Sequence, residues 1–196
     1  MERLRLNCYF FVVNCLLTHV RNRTILHKST ISYMYLIGNK ESCGGRIMNV
    51  EMKKFNNIAG TINSIYHDAA LKMGMTDSER DILYVICDLG SGCNQSALYK
   101  NTGMTRSTVN SALRKMEKAG ILYVKSGEGR NTCVYLTEYG EKYLSSTVGK
   151  IVEIENKIFT GWSKKEQELF IALNERYAEQ LNHELTAYFK EKNTGE

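Results

Sequence analysis

The sequence predicts a mainly helical protein that carries one small β-hairpin. Proline is absent from the 196 residues, although it usually makes up about 5% of a protein, and this absence favours long helices. Apolar residues recur every three or four positions over much of the chain after residue 50, which is the period of an amphipathic helix. Two runs rich in β-branched and aromatic residues flank a glycine-containing tip at residues 127–130, which indicates a hairpin.

The positive charge of the chain is concentrated in two segments. Residues 1–47 contain seven basic and two acidic side chains, and the remaining residues are neutral overall. Within that neutral remainder, residues 94–137 again contain seven basic and two acidic side chains. Local positive charge favours binding to a phosphate backbone. Chance clustering on a solvated surface is the alternative that the charges alone leave open.

Residues 1–47 do not share the pattern of the rest. Their apolar run at residues 6–20 has polar interruptions and is shorter than the roughly 20 residues of a membrane span, and no convincing signal-peptide cleavage site follows. Gly44 and Gly45 can be encoded by a purine-rich ribosome-binding sequence just before Met48. We therefore expect an extra N-terminal segment, either disordered or produced by a mis-assigned start, with Met48 as the true first residue.

Residues 48–75 are predicted to form an N-terminal dimerisation helix that ends at Gly74. Its apolar stripe consists of Phe55, Ile58, Ile62, Ile65 and Ala69. Thr76 and Glu79 have the spacing of a capping box, which predicts a second helix over residues 78–89. The side chains expected to face inward there are Ile82, Leu83, Ile86 and Leu89.

A helix-turn-helix follows. Asn94 can cap a third helix over residues 95–101, Gly103 permits a tight turn, and Thr105 can cap a fourth helix. One face of the fourth helix is apolar and consists of Val109, Ala112, Leu113 and Met116. A helix-turn-helix places its second helix in the major groove of DNA.

The other face of the fourth helix is polar and basic. Arg106, Asn110 and Arg114 align at intervals of four residues, and Arg and Asn are the side chains that pair with guanine and adenine edges. An ordinary solvated face is the alternative. The predicted DNA-binding residues are Gln95, Ser96, Thr105, Arg106, Ser107, Thr108, Asn110, Ser111, Arg114, Lys115, Lys125 and Arg130.

The hairpin lies next to this helix. Its predicted strands, residues 121–125 and 132–136, flank a tip that carries Arg130. A hairpin beside a recognition helix is a wing, and a basic tip suits a phosphate or a narrow minor groove. We therefore expect a winged helix-turn-helix DNA-binding domain over residues 76–137.

Residues 138–196 are predicted to form C-terminal dimerisation helices. We expect one helix over residues 138–159, a break at Gly161, and a last helix that starts from a capping box at Ser163 and Glu166. The last helix carries apolar residues every four positions, at Leu169, Leu173, Tyr177, Leu181 and Leu185. Long amphipathic helices at both ends of a small domain indicate a twofold homodimer, which matches a palindromic operator with half-sites about 10 base pairs apart or a multiple of that.

Residues 50–190 resemble the MarR family of winged-helix transcriptional regulators. The matching motifs are Met75-Thr76, residues 104–109, residues 113–122 and residues 136–140. The resemblance implies an obligate homodimer that binds a promoter palindrome, represses its own or a neighbouring operon, and is released by a small ligand or by oxidation. The wing-tip arginine of the family corresponds to Arg130, and Glu128 stands where the family usually has aspartate.

The residues of the switch are less evident. Tyr66 and Trp162 are the candidates for lining a ligand pocket, and Cys93 is the candidate for a redox sensor. The six cysteines lack CxxC spacing, and we expect thiols in a reducing cytoplasm rather than disulfides or a metal site. No cofactor is predicted.

Two other classes of protein compete with a regulator. An enzyme is disfavoured because the sequence lacks HExxH, GxSxG, P-loop and GxGxxG motifs. A winged helix used only for binding proteins has no need of Arg106, Arg114 and Arg130 together.

Overall fold

The computed structural model describes residues 48–127 and 131–193. Its elements in chain order are α1 (Val50–Lys72), α2 (Asp77–Leu89), β1 (Cys93–Asn94), α3 (Gln95–Thr102), α4 (Arg106–Lys118), β2 (Leu122–Ser126), β3 (Thr132–Leu136), α5 (Glu138–Ser146), α6 (Val148–Thr160) and α7 (Lys164–Asn193). A mainly helical fold with a small antiparallel sheet was predicted, and it is confirmed. The expectations for residues 1–47 lie outside the described residues.

The junction of α1 and α2 is set by local signals. Gly74 adopts a φ of 74° after the end of α1, a conformation that glycine takes without steric cost. Thr76 Oγ1 accepts a hydrogen bond from the Glu79 amide at 3.3 Å, and Glu79 Oε2 accepts one from the Thr76 amide at 2.7 Å. The predicted capping box is therefore present. Leu89 was expected to be buried, but it is 45% exposed, because α2 ends at this residue and the chain leaves the core.

The helix-turn-helix forms as predicted. Asn94 Oδ1 accepts a hydrogen bond from the Ser96 amide at 2.8 Å and caps α3. Gly103 turns the chain with a φ of 64°, and Thr105 Oγ1 accepts a hydrogen bond from the Thr108 amide at 3.1 Å to cap α4. The apolar face of α4 is buried through Val109, Ala112, Leu113 and Met116.

The wing is an antiparallel hairpin with a short third strand. Strands β2 and β3 pair from Leu122 opposite Leu136 to Ser126 opposite Thr132. Strand β1 pairs with the other edge of β3, which gives the order β1-β3-β2. This strand was not predicted, because two residues carry no alternating pattern. Arg130 lies outside the described residues.

Thr137 joins the base of the wing to the end of α4. Its hydroxyl donates a hydrogen bond to the Gly120 carbonyl at 2.6 Å, and its amide donates one to the Ile121 carbonyl at 3.0 Å. Gly140 packs so closely there that a Cβ added to it would lie 1.8 Å from the Ile121 carbonyl oxygen. The wing and the C-terminal end of α4 are therefore held together by the hydrogen bonds of Thr137.

The expectation of one helix over residues 138–159 is wrong, because the chain breaks at Thr147. This residue has φ −118° and ψ −95°, and its hydroxyl donates a hydrogen bond to the Tyr143 carbonyl at 2.6 Å. The turn lets α6 bury Val148 and Ile151 against the core. The apolar period continues across the break, so the sequence pattern did not reveal it. The second predicted capping box is present, with the Ser163 amide 2.8 Å from Glu166 Oε2.

Among the described residues, the apolar core is formed by the middle of the chain. Its buried apolar side chains lie between Ala70 and Ile151. Among the side chains that the structure describes, α1 buries only Ala70 and α7 buries none. Within residues 48–127 and 131–193, no helix is both long enough and apolar enough to cross a membrane.

Candidate nucleic-acid interface

The polar face of α4 points away from the core. Arg106, Ser107, Ser111 and Arg114 are exposed along it. Thr105 and Thr108 are also exposed at its N-terminal end, where their hydroxyl oxygens lie 2.8 Å apart. This is an accessible strip of cationic and hydroxyl side chains on the second helix of a helix-turn-helix, and such a strip can contact base edges and phosphates.

Asn110 differs from its neighbours on this face. Its Oδ1 accepts hydrogen bonds from Gln95 Nε2 at 2.7 Å and from the Tyr99 hydroxyl at 2.9 Å. The Arg106 guanidinium also lies 5.7 Å from the centre of the Tyr99 ring. A bidentate contact with adenine requires both amide atoms of an asparagine, so the observed contacts of Asn110 and Gln95 favour a role in holding α3 against α4. Sequence reasoning missed Tyr99, whose position on α3 carried no DNA-binding signal.

Lys115 is also engaged within the protein. Its ammonium lies 3.0 Å from Glu79 Oε1, and the Glu79 side chain is only 10% exposed. Burial alone would raise the pKa of Glu79, but hydrogen bonds from Thr76 and Lys115 outweigh it and lower that pKa. Lys115 therefore connects α4 to the N-terminus of α2 in the protein without DNA.

The wing holds Lys125 over an aromatic platform. The Tyr123 and Tyr135 rings are stacked with centroids 5.4 Å apart and an interplanar angle of 12°. The Lys125 ammonium lies 5.3 Å from the first ring centre and 5.8 Å from the second. These contacts place an exposed cation on the hairpin. The amide of Val124 in the same strand donates a hydrogen bond to Glu117 Oε1 of α4 at 3.3 Å.

A cavity of about 740 Å³ lies apart from this interface, between α1, α2, α6 and α7. Tyr66 and Trp162, the two predicted pocket residues, both line it. The Glu155 carboxylate accepts hydrogen bonds from the Tyr66 and Tyr84 hydroxyls. Burial raises the pKa of Tyr84, and the nearby Glu155 charge raises it further. The sequence did not indicate Glu155 or Tyr84 as pocket residues, because Tyr66, Tyr84 and Glu155 are far apart in the chain.

Cys93 is half-buried in β1. Burial raises the pKa of its thiol, and the neighbouring Cys133 also raises it. A redox-sensing cysteine needs a lowered pKa and access to the oxidant, so this environment disfavours the predicted redox role. Burial raises the pKa of Cys87 as well. In the described ranges, no group of three or more His, Cys, Asp or Glu side chains could hold a metal ion.

His67 acquires a partner that the sequence did not reveal. Its Nδ1 lies 2.9 Å from Asp77 Oδ2, and Asp77 also pairs with Arg80 at 3.1 Å. Arg80 in turn binds Asp81 at 2.6 Å. These contacts connect the C-terminal part of α1 to the start of α2. His67 therefore has a structural role.

A helix-turn-helix with an exposed basic second helix and an adjoining hairpin defines a winged helix-turn-helix protein. The model of the MarR family matches residues 73–130, which span α2, the helix-turn-helix and the first strand of the wing. This winged-helix segment therefore matches that of the MarR family of transcriptional regulators. The resemblance inferred from the sequence motifs is confirmed.

Solved structures share this fold at low sequence identity. A MarR family regulator from Neisseria meningitidis is 18% identical, with a TM-score of 0.62 over 71% of this chain and 99% of that one. The MepR–DNA complex of S. aureus is 20% identical, with a TM-score of 0.54 over 69% of this chain and 99% of that one. PcaV from Streptomyces coelicolor, in complex with its natural ligand, is 17% identical, with a TM-score of 0.52 over 68% and 98%. No curated protein matches the sequence.

Proposed function

We propose that this protein is a homodimeric, sequence-specific repressor that binds a palindromic operator through α4 and is released by a small molecule. The exposed strip formed by Arg106, Ser107, Ser111 and Arg114 on the second helix of the helix-turn-helix carries this proposal. Its target is the promoter of its own gene or of a neighbouring operon. Binding to that DNA would place the protein in the cytoplasm.

The two arginines of the strip are proposed to contact DNA differently from the other basic residues. Arg106 and Arg114 are exposed on the face opposite the core, so their guanidinium groups can reach guanine edges or phosphates. Lys125 on the wing would contact the backbone, which contributes affinity but not sequence preference. Lys115 would contribute less, since its ammonium is already paired with Glu79.

The homodimer is supported by the long helices. Large apolar side chains that are 42–62% exposed follow one another along them, at Ile58, Ile65, Ile154, Ile158, Leu169, Leu173 and Leu185. Monomeric proteins rarely expose large contiguous apolar patches. Pairing two copies about a twofold axis would cover these side chains and would place two copies of α4 on successive half-sites.

Footprinting of DNA upstream of the protein's own and adjacent genes would identify the operator. On that operator, Arg114→Ala should weaken binding by about 1–3 kcal/mol and relax the preference at one base position. Lys125→Ala should weaken all sequences alike and reduce the dependence of affinity on salt by about one ion.

Lys150→Ala provides the matched control, because it removes an exposed positive charge from α6, outside the winged helix-turn-helix. It should bind operator like the unaltered protein. Unchanged affinity and specificity in both Arg106→Ala and Arg114→Ala would refute the assignment of α4 as the recognition helix.

The dimer is tested by sedimentation. Leu173→Glu places a charge on the exposed apolar side of α7 and should convert the dimer to a monomer. Thr186→Glu adds the same charge to an exposed position on the opposite side of α7 and should leave the dimer intact. A protein that sediments as a monomer before any substitution contradicts the proposal.

A further inference from the structure

The polar wall of the cavity contains a carboxylate that two tyrosines hold in place. The Tyr66 and Tyr84 hydroxyls donate their protons to the two oxygens of Glu155. Each Glu155 oxygen accepts one of these hydrogen bonds, and a carboxylate oxygen has capacity for a second. Burial and the Glu155 charge raise the pKa of Tyr84.

The charges that line the cavity are mostly negative. Among the described residues that line it are three carboxylates, from Glu155, Glu168 and Glu175, and one ammonium, from Lys164. Lys164 Nζ lies 4.0 Å from Glu168 Oε1, and both side chains are largely exposed, so this pair neutralises itself at the rim. The Glu155 carboxylate remains as a half-buried negative charge in the cavity wall. An anionic ligand would be repelled there, whereas a cation would gain a charged partner.

The apolar wall of the cavity includes the aromatic rings of Phe159 and Trp162 beside aliphatic side chains. The Phe159 and Trp162 ring centroids lie 5.5 Å apart, and Phe170 meets Trp162 edge to face at 5.3 Å. Gln167 Nε2 donates hydrogen bonds to the Phe159 and Trp162 carbonyls at 2.9 and 3.0 Å, which fixes the turn that carries the tryptophan. Aromatic faces attract cations, and tryptophan does so most strongly.

We propose that this cavity binds a lipophilic organic cation, with its charge near Glu155 and its apolar groups against Phe159 and Trp162. The inference rests on the proposed function, because it names the chemical class of the molecule that would release the operator. A volume of about 740 Å³ suits a drug-sized ligand, since such sites usually enclose about 300–1,000 Å³. The cavity touches α2 through Tyr84, and α2 packs on both helices of the helix-turn-helix, so the ligand lies one helix away from the DNA-binding face.

Two probes of matched shape and opposite charge test the proposal on the full chain. Tetraphenylphosphonium and tetraphenylborate differ mainly in the sign of their charge. Trp162 is the only tryptophan in the sequence and lines the cavity, so its fluorescence reports binding there. The phosphonium should quench this fluorescence with at least about tenfold higher affinity than the borate. Equal or tighter binding of the borate would overturn the proposal.

Glu155→Gln should weaken phosphonium binding by about tenfold or more. Glu153→Gln is the matched control, because it removes the same charge from an exposed position on the same helix, where Glu153 pairs with Lys150. If Glu155→Gln unfolds the protein, as seen by circular dichroism, the comparison of the two probes on the unaltered protein still decides the question. Phosphonium binding that Glu155→Gln leaves unchanged in a folded protein overturns the assignment of Glu155.

The same samples separate this inference from the proposed function. Phosphonium binding without any operator binding would leave the cavity assignment standing and contradict the repressor. Operator binding with no response to either probe would overturn the cavity assignment and leave the repressor standing. That second result is also expected if the other copy of the chain fills the cavity.

Discussion

The winged helix-turn-helix and the long helices dispose of their apolar side chains in opposite ways. In the first region, α2, α4 and the hairpin enclose side chains such as Ile82, Val109 and Val134, which are fully buried within one copy. In the second region, α1, α6 and α7 leave residues such as Ile65, Ile154 and Leu173 about half exposed. The first region therefore contains its own source of stability. In the proposed homodimer, the second copy would cover the apolar side chains of the second region.

The largest expected effect on stability is the difference between two isoleucine-to-alanine substitutions, one in each region. Ile82→Ala removes a fully buried side chain and should lower the free energy of unfolding by about 2–5 kcal/mol, because it leaves a cavity. Ile154 is 58% exposed in one copy, so Ile154→Ala should matter only through the dimer. Urea unfolding at several protein concentrations measures both. A concentration-independent loss of similar size in Ile154→Ala would break the comparison.

Substitutions of one helical glycine in each region extend the comparison between the two regions. Gly140→Ala drives a Cβ against the Ile121 carbonyl oxygen, with no flexible side chain to move aside, and should destabilise the protein by about 1–3 kcal/mol or more. Gly60 in α1 has no atom within 4 Å of an added Cβ, and Gly60→Ala should stabilise the protein by about 0.5–1 kcal/mol through helix propensity. Thermal unfolding compares the two. Destabilisation by Gly60→Ala that grows with concentration would locate the partner helix at this position.

An intermediate and pH-dependent effect is expected at Glu79. Its pKa is lowered in the folded protein, so its contribution to stability is present above its ordinary pKa of 4.5 and is lost as the pH falls through the folded-state pKa. Glu79→Gln should cost about 1 kcal/mol at neutral pH, and this difference from the unaltered protein should shrink as the pH falls below that ordinary value.

Glu51→Gln in the exposed first turn of α1 is the control for this prediction. Glu51 pairs with Lys54 at 3.0 Å, and both side chains are largely exposed, so the loss should be at most about 0.5 kcal/mol. Unfolding free energies measured from acid to neutral pH would contradict the prediction if the Glu79→Gln difference stayed constant.

The smallest expected effect on stability is at Asn110. It should show whether this residue of α4 stabilises the fold or recognises DNA bases. Asn110→Ala removes the acceptor shared by Gln95 and Tyr99 and should cost about 0.5–1.5 kcal/mol of stability. Ser111→Ala changes an exposed neighbour and should not alter stability. Denaturation of the two variants, followed by operator binding at matched folded fraction, decides the matter. Altered base preference with unaltered stability in Asn110→Ala would assign this residue to recognition instead.

The elements that the sequence predicted are those determined by local chemistry. Thr76 and Glu79, the turn at Gly103, and the capping of α4 by Thr105 each depend on residues within a few positions of one another. Such signals act through backbone geometry and hydrogen bonding, so they are visible in the order of the residues. The helical period of the apolar residues on α4 is also a local signal of this kind.

The features that the sequence did not predict depend on tertiary contacts. The break at Thr147 exists because Val148 and Ile151 turn into the core, although the apolar period runs on through it. Glu155 meets Tyr66 and Tyr84 from positions 89 and 71 residues away. Likewise, Asn110 looked like its exposed neighbours until the fold brought Gln95 and Tyr99 to its amide. Residue type and spacing predicted which helix face to inspect, but not which of its members is already engaged.

The hydrogen bonds of Asn110 restrict which residues of α4 can change when the protein acquires a new DNA target. Arg106, Ser107, Ser111 and Arg114 can be exchanged at little cost to folding, because none of them lies in the core. Asn110, in the middle of the same strip, cannot be exchanged so cheaply while Gln95 and Tyr99 depend on it. Libraries designed to retarget the protein should therefore vary the four exposed positions and keep the asparagine constant. Variation in α4 during evolution is expected to follow the same division.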